Sequence, residues 1–162
     1  MKYLFAIGLV IVSIQPGRRA APEIHLIPSS YRGKVQIVFG ARNGTPGKFE
    51  DGAHVYDIPP DGLLLTQAAP NDGHSPEYRF FFVTPEGEHK PIRRIYTPSE
   101  TLLAEVGIAF LRRGRFQAGL PAACDIPTYE YFVGNDADLK ATDESRYYLR
   151  LWPIVRDHYV CP

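Results

Sequence analysis

The sequence lacks the short signatures by which common chemistries declare themselves: no Gly-x-Ser-x-Gly elbow, no phosphate-binding loop and no dinucleotide fingerprint. A catalytic triad defined by geometry rather than chain order stays open. Charge of one sign is also missing, since 18 Lys and Arg balance 18 Asp and Glu. That argues against a nucleic-acid binder, for which a basic domain is expected. There is no repeat at solenoid periods and no low-complexity tract. No apolar run reaches the roughly 20 residues of a transmembrane helix. Cysteine is scarce, Cys124 and Cys161 being the only two.

What is present first is a start suited to export. Met1 and Lys2 give a minimal positive charge, Tyr3 to Ile14 is apolar except at Gly8 and Ser13, and Gln15-Pro16-Gly17 breaks the run. This order is that of a secretory signal. The expectation is a signal over residues 1–21 and one β-rich domain over 22–162, secreted or periplasmic. Arg18 and Arg19 stand three positions before Ala20 and Ala21, where a small residue is wanted, so the cleavage position stays open. Membrane contact is expected only if the signal is uncleaved. In an oxidising compartment Cys124 and Cys161 are expected to pair, the alternative being two separate thiols.

The 10 Tyr and 9 Phe stand beside 14 Gly and 15 Pro, a mixture suited to short strands joined by tight turns. Strands are predicted at Ile24 to Ile27, at Lys34 to Phe39 with Val35, Ile37 and Phe39 on one face, and at Tyr129 to Val133. His54 to Ile58 and Leu63 to Thr66 read as a strand pair around the Pro59-Pro60-Asp61-Gly62 turn. Tyr78 to Val83 and Pro91 to Tyr96 read as a hairpin. Because Pro91 has no N–H to donate, its strand should begin at or after it, or lie on an edge. Val106 to Leu111 reads as a strand or a turn of helix, and Arg112-Arg113-Gly114-Arg115 as a turn. Asn135, Asp136 and Asp138 resemble the opening of a calcium loop without its glycine and distal Glu, which leaves a solvated turn. Asp143 is placed as the cap of a helix carrying Tyr147, Leu151, Ile154, Val155 and His158, interrupted at Pro153. The fold class expected is mainly β: an antiparallel β-sandwich or open barrel with a short C-terminal helical segment.

Ile24-His25-Leu26-Ile27-Pro28, with Tyr31, Gly33 and Val35 to Phe39 after it, resembles the start of a domain-of-unknown-function family of small exported bacterial proteins. The likeness continues through Asp51-Gly52, Val55-Tyr56, Ile58-Pro59, the aromatic strand and Phe132-Val133-Gly134. It implies export and a β-rich domain, and no activity. Many members resemble lipoproteins with a Cys after the signal; here no Cys follows the apolar run, so no lipid anchor is expected. The turns at Asp51-Gly52 and Asp61-Gly62 are similar at the level of fold to transthyretin-like sandwich modules.

The five histidines, His25, His54, His74, His89 and His158, show no metal-ligand spacing and read as core or rim residues, so neither metal nor cofactor is expected. Asp51 and Asp61 each precede a Gly and read as turn residues. Arg112, Arg113 and Arg115, joined by Arg93 and Arg94, could gather at one end to hold phosphate, sulfate or a carboxylate, or else form a solvated turn. The reading is a secreted, non-enzymatic binding or envelope-accessory module with an anionic ligand or a protein partner. The alternatives are a small hydrolase using the Asp51 to Asp61 region with a nearby His, and a subunit lending an edge strand to a partner.

Overall fold

The computed structural model describes residues 19–73, 76–95, 105–117, 125–142 and 153. Among them the elements are β1 (Glu23–Pro28), β2 (Gly33–Val38), β3 (Lys48–Glu50), β4 (Ala53–Asp57), β5 (Leu63–Leu65), β6 (Tyr78–Val83), β7 (His89–Pro91), β8 (Gly107–Gln117), β9 (Asp125–Gly134) and α1 (Asp136–Ala141). Two sheets form, ordered β3-β4-β1-β6-β7 and β5-β2-β9-β8, and they do not close into a barrel. The mainly β class and the short helix toward the C-terminus agree with the strand spacing of the sequence. Among the described residues no helix is long and apolar enough to cross a membrane.

Both sheets are mixed rather than purely antiparallel. β1 runs parallel to β4 and β6, and β2 runs parallel to β5. The cause lies in the turns. Pro28 to Arg32 and Ile58 to Gly62 carry the chain from the first sheet to the second, so each is an arch and not a hairpin. The predicted pair His54 to Ile58 and Leu63 to Thr66 is thereby split between sheets. A chain that leaves a sheet and returns lays its next strand parallel to the last. True hairpins remain where turn chemistry demands them. Asp51 and Gly52 have φ of 48° and 78°, the two left-handed residues of a turn whose twist matches the flanking strands β3 and β4.

Further differences are local. Arg112 to Arg115 lies inside β8, not in a turn, because a bulge between Ala109 and Arg112 restores the register: Arg112 stands opposite Glu130 and Gly114 opposite Thr128. Asn135 to Asp138 opens a helix. The Asn135 side chain accepts from the Asp138 N–H at 3.0 Å, and the Asp138 carboxylate accepts from the Asn135 N–H at 2.9 Å, a reciprocal cap. The strand that returns from β6 ends at Pro91 rather than running on from it, and it lies on a sheet edge, as the missing N–H of Pro91 allows. The residues assigned to the longer C-terminal helix, Asp143 to His158, lie outside the described residues apart from Pro153.

The core lies between the sheets, where Ile27, Tyr56 and Phe80 meet Val35, Ile37, Phe39, Tyr129, Tyr131 and Val133. Rings interlock edge-on, Phe39 with Tyr129 at 4.6 Å and Phe80 with Tyr131 at 5.2 Å. Residues 20 and 21 belong to this folded body. Ala20 is buried against Gly73, where a Cβ would meet the Ala20 nitrogen at 2.7 Å, and the Ala21 carbonyl accepts from the Asn71 amide at 2.8 Å. A chain beginning at Pro22 is therefore expected to be less stable than one beginning at Arg19 by about 1–2 kcal/mol, the loss of one buried methyl and one hydrogen bond. Urea midpoints of the two forms check this; equal midpoints would refute it.

Candidate functional site

The alternation of β1 turns Glu23, His25 and Ile27 inward and leaves Ile24 and Leu26 half-buried on the other face. A carboxylate and an imidazole thus enter the core at adjacent inward positions, and both are 0% exposed. Parallel pairing sets Tyr56 of β4 beside His25, and Tyr78 of β6 beside Glu23. The facing β9 contributes Tyr129 and Tyr131, and β8 contributes Arg113.

Glu23 Oε1 accepts from the Asn71 amide at 2.8 Å, from Arg113 Nη2 at 3.3 Å and from the Tyr129 hydroxyl at 3.5 Å. Its other oxygen lies 3.6 Å from His25 Nε2, and His25 Nδ1 is 3.2 Å from the Tyr131 hydroxyl. Arg113 also donates through Nε to the Tyr78 hydroxyl at 3.0 Å. Its guanidinium lies 4.9 Å from the Tyr129 ring centre and 5.9 Å from that of Tyr78. Among the described residues three buried polar atoms lack a hydrogen-bond partner: Glu23 Oε2 and His25 Nε2, which face each other, and the Tyr56 hydroxyl.

Burial pushes the His25 pKa down, against the opposing pull of Glu23, so the ring is neutral at pH 7. Burial likewise pushes the hydroxyls of Tyr56, Tyr78, Tyr129 and Tyr131 up, with the Glu23 charge adding to the shift. The four phenols stay protonated and serve as hydrogen-bonding and ring surfaces.

A second arrangement lies on the other side of β9, where Glu130 and Phe132 project. Glu130 Oε2 receives Arg112 at 2.7 and 3.0 Å and Lys34 at 3.2 Å, while Gln36 donates to Oε1 at 3.0 Å. Burial raises the Glu130 pKa, but the hydrogen bond from Arg112, the Lys34 charge and Gln36 together hold it below the usual carboxylate value. These groups flank an open cleft of about 830 Å³ whose apolar lining includes Phe110, Leu111 and Leu139. Phe110 sits at the β8 bulge with φ of 57° and 52% exposure. Left-handed backbone is costly for a bulky residue and concentrates at functional positions.

The five arginines singled out from the sequence do not form one cluster. Arg112 and Arg113 are strand neighbours, so one flanks the cleft and the other, on the opposite face, reaches in to Glu23. Arg94 lies 5.0 Å over the Tyr78 ring, while Arg93 and Arg115 are exposed, Arg93 accepting through its carbonyl from Ile108. Asp51 and Asp61 occupy exposed turns, and His25 is sealed from them. Cys124, Cys161, His74 and His158 lie outside the described residues. Among the described residues no three His, Cys, Asp or Glu side chains gather as a metal set. Glu23 escaped sequence reasoning because nothing in Glu-Ile-His-Leu-Ile distinguishes the face holding Glu23 and His25 from the face holding Ile24 and Leu26. The only available hint was a His two residues from an acid at a strand start.

A buried His whose folded pKa lies below its unfolded value stabilises fully above the unfolded value of about 6.5, and this contribution falls as pH drops beneath it, because the unfolded chain then binds the extra proton. Around His25 the facing groups are Glu23 from its own strand, Tyr56 and Tyr78 from the neighbours, and Tyr129, Tyr131 and Arg113 from the opposite sheet. Urea stability should therefore be level from pH 8 to 7 and decline below 6.5, by at most about 1.4 kcal/mol per pH unit for one proton. His25→Gln should flatten that decline; an unchanged slope in the variant would contradict the assignment.

Comparison with known proteins gives a fold likeness and a family. The crystal structure of a candidate lipoprotein from Bacillus anthracis superposes with a TM-score of 0.61 at 17% identity, covering 85% of this chain and 95% of that one. At that identity the likeness concerns the fold alone. No curated protein matches the chain. The transthyretin-like similarity of the turns finds no support in these comparisons. Residues 19–117 match the model of a family of unknown function, DUF6843, and with more than half of its length so matched the chain belongs to that family.

Proposed function

We propose that this protein is an exported, envelope-associated module that works by binding rather than catalysis, and that its cleft receives a small amphiphile with an apolar body and an anionic head. The observation that carries this reading is Phe110, held exposed in a left-handed backbone at the mouth of the cleft, beside Lys34 and Arg112. Two cations against the single carboxylate of Glu130 leave a net positive lining, which favours an anionic group. Phe110, Leu111 and Leu139 provide apolar contact, and a cleft of about 830 Å³ falls in the usual range for small-molecule sites. The acid–base pair Glu23 and His25, by contrast, is fully buried on the opposite side of β9, so it takes no part in this cleft. The fold likeness to a candidate lipoprotein and the apolar start of the chain support the envelope location.

Dodecanoate is the test ligand, with dodecyltrimethylammonium as its cationic counterpart, both below their micelle concentrations. Calorimetric titration should show saturable binding of dodecanoate and little of the counterpart. Lys34→Gln and Phe110→Gly should each weaken it about tenfold, the loss of roughly 1.4 kcal/mol of contact. Phe110→Gly should at the same time leave stability unchanged or raised, because glycine takes the left-handed conformation without strain. Absence of saturable binding, or binding indifferent to both substitutions, would overturn the proposal.

A further inference from the structure

A carboxylate sealed inside a β-sandwich and ringed by tyrosines is an expensive arrangement if stability is its only use. A buried ion pair is often no better than apolar side chains of the same volume. The geometry is, however, what recognition of an organic cation requires: a negative charge at the floor and electron-rich ring faces as walls. We infer that Glu23, with the rings of Tyr78 and Tyr129, forms a binding site for a small organic cation of the guanidinium or ammonium class, and that Arg113 occupies this site from within the chain.

Arg113 already displays the pose of such a ligand. Its guanidinium lies 4.9 Å from the Tyr129 ring centre and 5.9 Å from that of Tyr78, with Nη2 3.3 Å from Glu23 Oε1. The side chain enters from strand β8 at the end of the second sheet, and it is 36% exposed while Glu23 is 0% exposed. The path it follows is thus a route from solvent to the carboxylate.

The fit is incomplete in a way that favours exchange. Arg113 reaches only one carboxylate oxygen, at the long end of hydrogen-bond distance. Glu23 Oε2, 3.6 Å from His25 Nε2, and the Tyr56 hydroxyl remain buried without a hydrogen-bond partner among the described residues. A compact ammonium carries up to three donors and no acceptor, and it can use acceptors that the flat guanidinium leaves unused. Arg94, 5.0 Å over the Tyr78 ring, places a second cation on the same aromatic wall. The site is therefore a self-occupied cage: a ligand binds by displacing Arg113, and binding releases the β8 side chain outward.

The test is Arg113→Ala in the full chain, with methylguanidinium and methylammonium chloride at millimolar concentration as ligands and sodium chloride at equal ionic strength as control. Thermal melting and tyrosine fluorescence are the readouts. The variant should melt lower than the wild type and recover with either organic cation but not with sodium. The wild type should require at least tenfold more cation for a comparable response, because its own arginine competes. Adding Glu23→Gln to the variant should abolish the recovery. Absence of a cation-specific response, or a response that survives Glu23→Gln, would overturn the inference. If Arg113→Ala does not fold, refolding in methylguanidinium but not in sodium chloride carries the same meaning, and failure of both to restore it refutes the site.

Discussion

The structure is organised around one cost, a carboxylate taken out of water. An unpaired ionised carboxylate is among the most unfavourable groups a core can hold, and Glu23 lies wholly inside one. Its compensation comes from every side: Asn71 from the β5–β6 connection, Arg113 from β8 and Tyr129 from β9. The same Asn71 amide ties down the Ala21 carbonyl, so the entry of the chain into β1 is coupled to the charge it carries. Removing Arg113 would leave the carboxylate with neutral donors alone, and removing Asn71 or Tyr129 would leave it short of a hydrogen bond. The two sheets are thus held together by a polar constraint as well as by their aromatic core.

Most strands were legible in the sequence, and the reason is local. Val35, Ile37 and Phe39 alternate with Lys34 and Gln36, and Tyr78 to Val83 is aromatic and β-branched, so period and propensity agree. Which sheet each strand joins was not legible. Pro59-Pro60-Asp61-Gly62 has the chemistry of a tight turn whether the chain folds back on itself or crosses to the other sheet, and only the packing of the whole decides. The arginine run misled for a related reason. Arg112, Gly114 and their neighbours look like a turn, yet the bulge before them lets Arg112 face Glu130, a partner that lies 18 positions away in the chain.

The candidate sites divide in the same manner. The positive charge of β8 could be read from composition, whereas its partition between two faces depends on strand alternation around an irregularity that has no sequence signature. Glu23 illustrates the limit most clearly. A strand beginning Glu-Ile-His-Leu-Ile offers apolar side chains on both faces. It buries the acid and the histidine because the facing strands supply hydroxyls and a guanidinium at those positions. That preference is a property of β4, β6, β8 and β9 together, and no window of sequence around β1 contains it.

The arches between sheets bear on the time course of folding. Because β1 pairs with β4 and β6, and β2 with β9, no sheet can be completed from neighbouring segments. β2, made early, must wait for residues 125–134 to arrive before its central ladder exists. Topologies of this kind close large loops before they gain contacts, and they fold slowly. A chain that stays open until nearly all of it is available is one that can be threaded through a translocation channel without first being unfolded, which accords with the export proposed above.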